Sequence, residues 1–306
     1  MRRADAIPLD DVLTSLVGLD DVVAPVVVGC SGGPDSLALL ALAAAAELDP
    51  VAVHVDHGSR PGSDSESAVV AAQAAQLGVP CHAETVSEPF GPNYEARARA
   101  ARYTALERAR VALGATAILV GHTADDQAET VLLNVLRGSA SAGLGGMAVR
   151  RDHIVRPLLE LRRSETEALC ARLGIEPLRD PSNDDLSVRR NWIRRKVLPG
   201  LSEGAGRDLV PVLARQATIL RDESEYLDAL AAAAWPGDGE LRASPLAAMP
   251  PVLARRAVRQ WLGPPPPSFD EVERVLAVAR SEVRATEVAG GRRVWRSGGQ
   301  LHTTPG

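Results

Sequence analysis

The first half of the chain alternates short, wholly apolar runs with stretches of helical period. PVVVGC, from Pro25 to Cys30, is β-branched and continuous, the pattern of a strand buried on both faces. A glycine-rich turn follows, then an Ala/Leu helix from about Pro34 to Glu47. VAVHV (Val51 to Val55), PCHAETV (Pro80 to Val86) and TAILV (Thr116 to Val120) read as three further strands. Ser63 with Glu66 forms an S-x-x-E box that opens a helix to about Leu77. Asn93 is expected to cap a long helix through about Leu113, and Thr123 with Asp126 opens another. Ser164 and Glu167 are expected to cap one more. Strands alternating with helices predict parallel β-α-β units covered on both faces, which is a doubly wound α/β domain.

After Pro199-Gly200 the pattern changes. Helices rich in Ala, Leu and Arg are expected at about 206–234, 250–262 and 268–280, followed by strand-like runs near Val283–Val288 and Arg292–Trp295. Four prolines at 264–267 act as a stiff spacer. The reading is therefore two domains, 1–200 and a smaller, mostly helical 201–306. A length of 306 residues agrees with that, at roughly 150 residues per domain. Arg137–Met147 (RGSASAGLGGM) carries four glycines and has few ways to bury itself, so it is expected to be a mobile loop.

Composition narrows the classes. Aromatic residues make up only 3% of the chain, so the core must be aliphatic. A net charge of −5 excludes a uniformly basic nucleic-acid coat but allows a local basic face. Cys30, Cys81 and Cys170 form no C-x-x-C pair, which excludes a four-thiolate zinc site and argues for a reducing, cytoplasmic location. The N-terminus lacks the apolar stretch of a signal peptide. The longest apolar run, Leu37 to Ala46, falls well short of the roughly 20 residues of a spanning helix, so no membrane partner is expected.

The strongest chemical signal lies between the first strand and its helix, at Ser31-Gly32-Gly33-Pro34-Asp35-Ser36. Backbone N–H groups at a helix start are unpaired and sit at the positive end of the dipole. Two glycines let the backbone approach an anion, and two serines add donors, so the turn reads as a phosphate cradle. It lacks the lysine of a Walker A loop. A plain strand–helix turn would use Gly-Gly-Pro equally well. Asp35 favours the cradle, because a carboxylate beside phosphates requires a divalent cation between them, as in Mg-nucleotide. His122, Asp125 and Asp126 follow the fourth strand, where an open α/β sheet brings strand ends to one crevice. They suit a Mg²⁺ or ammonium site, with His122 a candidate proton acceptor, or a simple helix cap. His54 and Asp56 leave the second strand, where a ribose or base would lie. Arg190, Arg194, Arg195 and Lys196 belong to a basic stretch around Trp192, a solvated face or an RNA contact. Arg292, Arg293, Trp295 and Arg296 form a second basic-aromatic patch.

The S-G-G-x-D-S turn resembles the PP-loop of the ATP pyrophosphatases. HVDHGSR, N-x-E-x-x-A-R-x-x-R-Y (Asn93 to Tyr103), GHTADDQAET, RGSASAGLGGM, RPLLELRR and DPSNDDLSVRRNWIRRKVLP continue the match in order across residues 25–200. Together they resemble the tRNA(Ile)-lysidine synthetase family. The resemblance implies the adenine nucleotide α-hydrolase-like form of the fold and ATP with Mg²⁺, Asp35 serving as metal ligand. It also singles out Arg99 and Arg102 as site residues. It implies free L-lysine and the isoleucine tRNA with a CAU anticodon as partners, joined at C2 of the wobble cytidine through an adenylated intermediate. A homodimer is one assembly it leaves open. Two alternatives stand beside this: a PP-loop tRNA thiolase, which would need cysteines as sulfur carriers, and a non-catalytic RNA-binding protein.

Overall fold

Val26, Val27 and Val28 have no solvent exposure and form the centre of the first sheet. Each fully buried aliphatic side chain contributes about 1.5–3 kcal/mol, and strands covered on both faces collect that stabilisation at every position. The computed structural model describes residues 9–56, 63–86, 91, 94–178, 181–235 and 241–304. These divide into two compact units, Met1–Thr218 and Ile219–Gly306.

In chain order the first unit contains α1 (Leu9–Thr14), β1 (Val26–Gly29), α2 (Pro34–Ala45), β2 (Pro50–Asp56), α3 (Ser63–Gln76) and β3 (Cys81–Thr85). It continues with α4 (Tyr94–Ala112), β4 (Ala117–Val120), α5 (Ala124–Leu136) and α6 (Ser141–Leu144). Next come β5 (Arg150–Arg151), β6 (Ile154–Val155) and α7 (Arg163–Leu173). Then α8 (Arg189–Trp192) passes through a wider π-helical turn, Ile193–Val197, into α9 (Leu198–Gly204), and α10 (Val210–Ala234) begins. The sheet order is β3-β2-β1-β4-β6-β5, parallel except for the β5–β6 pair. This is the expected doubly wound sheet, with an antiparallel edge.

Strand alternation separates the two faces. Val26, Val28, Ala117 and Leu119 pack with the leucines of α2 and with Leu169 and Cys170 of α7. Val27, Val53, Ile118 and Val120 pack instead with Leu106, Ala109 and Tyr103 of α4. Order reverses between β1 and β4, whose ends are level, Gly29 pairing with Val120. The segments leaving these two strands therefore emerge side by side, at the position where open α/β sheets bind ligands.

Two local expectations change. Ser164 lies inside α7, because Glu165 accepts from the Arg162 backbone N–H at 2.7 Å and so closes the first turn two residues earlier. Residues 137–147 contain α6, and Gln127 pins their end by donating to the Met147 carbonyl at 2.9 Å and accepting from its N–H at 2.8 Å. Gly146 adopts φ +62, and a Cβ there would lie 2.6 Å from the Gln127 amide oxygen. Asn93 lies outside the described residues.

The second unit holds the end of α10, β7 (Leu241–Arg242), α11 (Ala243–Ala248), α12 (Pro251–Leu262), α13 (Phe269–Ala279), β8 (Ala285–Val288), β9 (Arg292–Ser297) and β10 (Gln300–Thr303). Its strands form an antiparallel sheet, β7-β10-β9-β8, packed with α11, α12 and α13 around Leu246, Val258, Val272, Leu276 and Leu301. No helix among the described residues is long and apolar enough to cross a membrane.

Candidate active site at the ends of β1 and β4

The phosphate-cradle residues form a braced turn. Gly32 adopts φ +79, and its carbonyl accepts from the Leu178 N–H at 2.8 Å. The Ser36 hydroxyl donates to the Gly33 carbonyl at 2.9 Å and accepts from the Ser31 N–H at 3.2 Å. Pro34 occupies the first turn of α2, where a missing N–H costs nothing. His54 is buried and donates from Nδ1 to the Cys30 carbonyl at 3.0 Å, so it supports the turn from below. Asp56 ends β2, half-buried, and His57 lies outside the described residues. Burial pushes the Asp35 carboxyl above its usual range, and hydrogen bonds from the Thr166 hydroxyl and Arg163 only partly offset this.

Gly121 explains how the second segment reaches this turn. A Cβ on it would stand 2.8 Å from the Asp35 carbonyl oxygen, so only glycine permits the approach. The Thr123–Asp126 box forms as expected, with Asp126 Oδ2 accepting from the Thr123 N–H at 3.0 Å. Asp125 accepts from Arg162 Nε at 3.0 Å and from the Arg163 N–H at 2.9 Å. Asp126 Oδ1 accepts from Arg163 Nη2 at 3.0 Å and Arg190 Nη2 at 2.9 Å. Beyond it Glu129, wholly buried, accepts from Arg194 Nε at 2.6 Å and Arg190 Nε at 2.8 Å. Burial opposes the Asp126 charge, yet Arg190 and Arg163 outweigh it and hold the carboxyl down at about 2. Four carboxylates thus face four guanidiniums, and a buried charge is tolerated only with such pairing.

Two of the four cations assigned to RNA, Arg190 and Arg194, therefore point inward at Asp126 and Glu129. Arg195 pairs with Asp184, while Lys196 and Trp192 are exposed. Glu129, Arg162 and Arg163 lie inside the quoted motifs and Thr166 just beyond one, and no local signal marks any of the four. Glu129 sits three residues beyond Asp126 on α5, the spacing that shares a helix face.

A second cluster lies on the α4 face. Arg99 Nη2 donates to the Tyr103 hydroxyl at 3.2 Å, and the Arg99 and Arg102 guanidiniums lie 5.1 and 5.5 Å from the Tyr103 ring centre. His122 lies within reach of the charges of Arg99, Arg156 and Arg190. Burial first, then those charges, push its imidazole down to about 3 against the opposing pull of Asp126.

In the second unit, Arg292 is buried and spent on the carbonyls of Ala289, Leu262 and Pro265. Trp295 stacks on His302 at 5.6 Å between ring centres.

The sequence is similar to known proteins over most of its length. Residues 12–201 match a PP-loop domain, which carries ATP binding with it, and residues 241–302 match the TilS substrate binding domain. The tRNA(Ile)-lysidine synthase of Nocardia farcinica is 45% identical over 78% of this chain and 75% of its own length. That of Salinispora tropica is 40% identical over 90% of each chain. The U34-tRNA thiolase NcsA from Methanococcus maripaludis shares the fold, with a TM-score of 0.56 and 16% identity over 70% of this chain and 77% of its own. On the extent of those matches, the chain belongs to the tRNA(Ile)-lysidine synthase family of PP-loop proteins.

Proposed function

We propose that this protein joins the ε-amine of free L-lysine to C2 of the wobble cytidine in the isoleucine tRNA with a CAU anticodon. The C2 oxygen attacks the α-phosphorus of ATP and releases pyrophosphate. The amine then attacks C2, loses a proton, and AMP departs with that oxygen. Residues 1–200 would bind ATP and carry the chemistry, and residues 201–306 would hold tRNA. One observation carries the reading: Arg163 connects Asp35, in the phosphate turn, with Asp126 and Glu129, so a nucleotide cradle adjoins buried carboxylates suited to an amine.

The donor set fits a nucleotide-borne Mg²⁺. Among the described residues no three metal-ligating side chains gather into a resident site. A Mg²⁺ held by one carboxylate and substrate phosphates needs only Asp35. That ion would neutralise charge on the phosphates. Ser31, Gly32, Gly33 and Ser36 would shape the turn around them, with His54 and Asp56 toward the nucleoside. Free lysine brings two ammonium groups and one carboxylate, and the cluster offers both signs: Asp126 and Glu129 for an ammonium, Arg190 and Arg194 for the carboxylate. Asp125 orients Arg162 and Arg163 beside it. Held neutral, His122 gains proton-acceptor strength only when anionic substrate offsets the neighbouring arginines.

Digestion of reacted tRNA to nucleosides tests this reading. One cytidine carrying lysine in place of its C2 oxygen is expected, and an unmodified nucleoside pool opposes it.

A further inference from the structure

Arg156 follows β6 and is 6% exposed, yet no carboxylate among the described residues pairs with it. Its Nη1 donates to the Ala148 carbonyl at 2.8 Å, while Nε is buried without any partner. The Nδ1 of His122, which feels the Arg156 charge, is likewise buried and unpartnered. Arg102 is half-buried and Arg99 exposed, and neither has a carboxylate partner among the described residues. All three guanidiniums gather on the Tyr103 phenol. An arginine cannot shed its charge, and a buried, uncompensated one is costly, so the cluster is built for an incoming anion. Its gradient from exposed Arg99 to buried Arg156 gives that anion a route inward.

We propose that Arg156, with Arg102 and Arg99, forms a pocket for a backbone phosphate of the RNA beside the nucleotide being modified. The inference rests on tRNA being the substrate, as proposed above. Three reactants meet at this sheet edge. ATP phosphates have the turn on the α2 face, and the amino acid has a cluster whose charges already balance. Tyr103 packs on the opposite, α4 face, and the cations there lack counter-charges. With ATP placed at the turn, the remaining polyanionic reactant is the RNA. Paired Arg190 and Arg194 have less to gain from a phosphate than these unpaired residues.

The test measures tRNA dissociation constants against salt for wild type, Arg156→Gln and Arg156→Lys, without lysine or turnover, alongside KM for ATP and lysine. Arg156→Gln is expected to weaken tRNA binding about tenfold and to reduce the log–log salt slope by about 0.7–0.9, the value of one phosphate contact. Arg156→Lys recovers the slope, and both KM values stay within about twofold. An unchanged salt slope overturns the pocket, as does a rise in KM for ATP with tRNA affinity intact. Should Arg156→Gln melt early, Arg102→Gln carries the same slope test from a half-buried position. Binding is read without chemistry, so a wild type that joins no lysine sinks the proposed function and leaves this comparison standing.

Discussion

Arg163 donates from Nε to the Asp35 carboxylate at 3.3 Å, joining α7 to the phosphate turn. A cation therefore stands beside the turn's one carboxylate before any nucleotide arrives. The same guanidinium reaches Asp126 and Glu129, so the turn and the buried acids share one side chain.

Asp35→Asn keeps the shape and removes the charge. Pyrophosphate release dependent on tRNA is expected to fall about 10²-fold or more, the scale seen when one preorganised electrostatic partner is lost. Because burial raises the Asp35 pKa, its ionised form costs stability at neutral pH, so the thermal midpoint is expected not to fall. Assaying both on one preparation separates lost chemistry from lost fold.

Glu129→Gln leaves Arg163, Arg190 and Arg194 facing one charge fewer inside the protein. The expected loss of stability is about 3 kcal/mol, the usual cost of breaking a buried pair from one side. Arg195→Ala, which removes a surface pair with Asp184, is expected to cost less than about 1 kcal/mol. Denaturant unfolding of both variants checks the contrast. Asp126→Asn is expected to raise the lysine requirement more than the ATP requirement.

His122 titrates near 3, against an ordinary value of 6.5. Between these values the unfolded chain holds a proton that the folded protein lacks, so stability rises with pH through that window. The contribution is at most about 1.4 kcal/mol per pH unit. Asp126, held near 2 from an ordinary 3.8, adds stability above 3.8 that is lost as pH falls further. Unfolding free energies between about pH 4.5 and 6.5 are expected to rise less steeply in His122→Gln than in wild type. Equal slopes would mean that the imidazole titrates normally.

The cysteines separate ligation from sulfur transfer. Burial holds Cys30 above its usual pKa and pushes Cys81 and Cys170 up to about 11, so all three stay protonated at neutral pH. A thiol is a poor nucleophile and a poor metal ligand. Replacing all three with Ala or Ser is expected to leave RNA modification largely working in folded protein. Activity lost at unchanged melting temperature would favour a thiolase.

Strand β1 and the turn after it were legible because continuous β-branched residues ending in Gly-Gly-Pro have few other solutions. Two-residue β5 and β6 were not, since a strand that short has no period to read. Asp35, Asp125, Asp126 and His122 stand out as candidates from their place after strands. Arg163 and Glu129 were missed because their importance lies in pairing across α5, α7 and α8, which no local spacing encodes. The basic stretch at 189–196 has the pattern of an outward face; Arg190 and Arg194 turn inward because Glu129 waits there, fully buried.

The most direct measurement incubates the protein with ATP, Mg²⁺, total tRNA and radiolabelled amino acids, one at a time, and follows label into RNA. The expected result is label from lysine alone, confined to the isoleucine tRNA with the CAU anticodon, with AMP and pyrophosphate released in step. Sulfur from labelled cysteine entering the RNA, or tRNA bound with no ATP cleaved, would contradict lysine ligation.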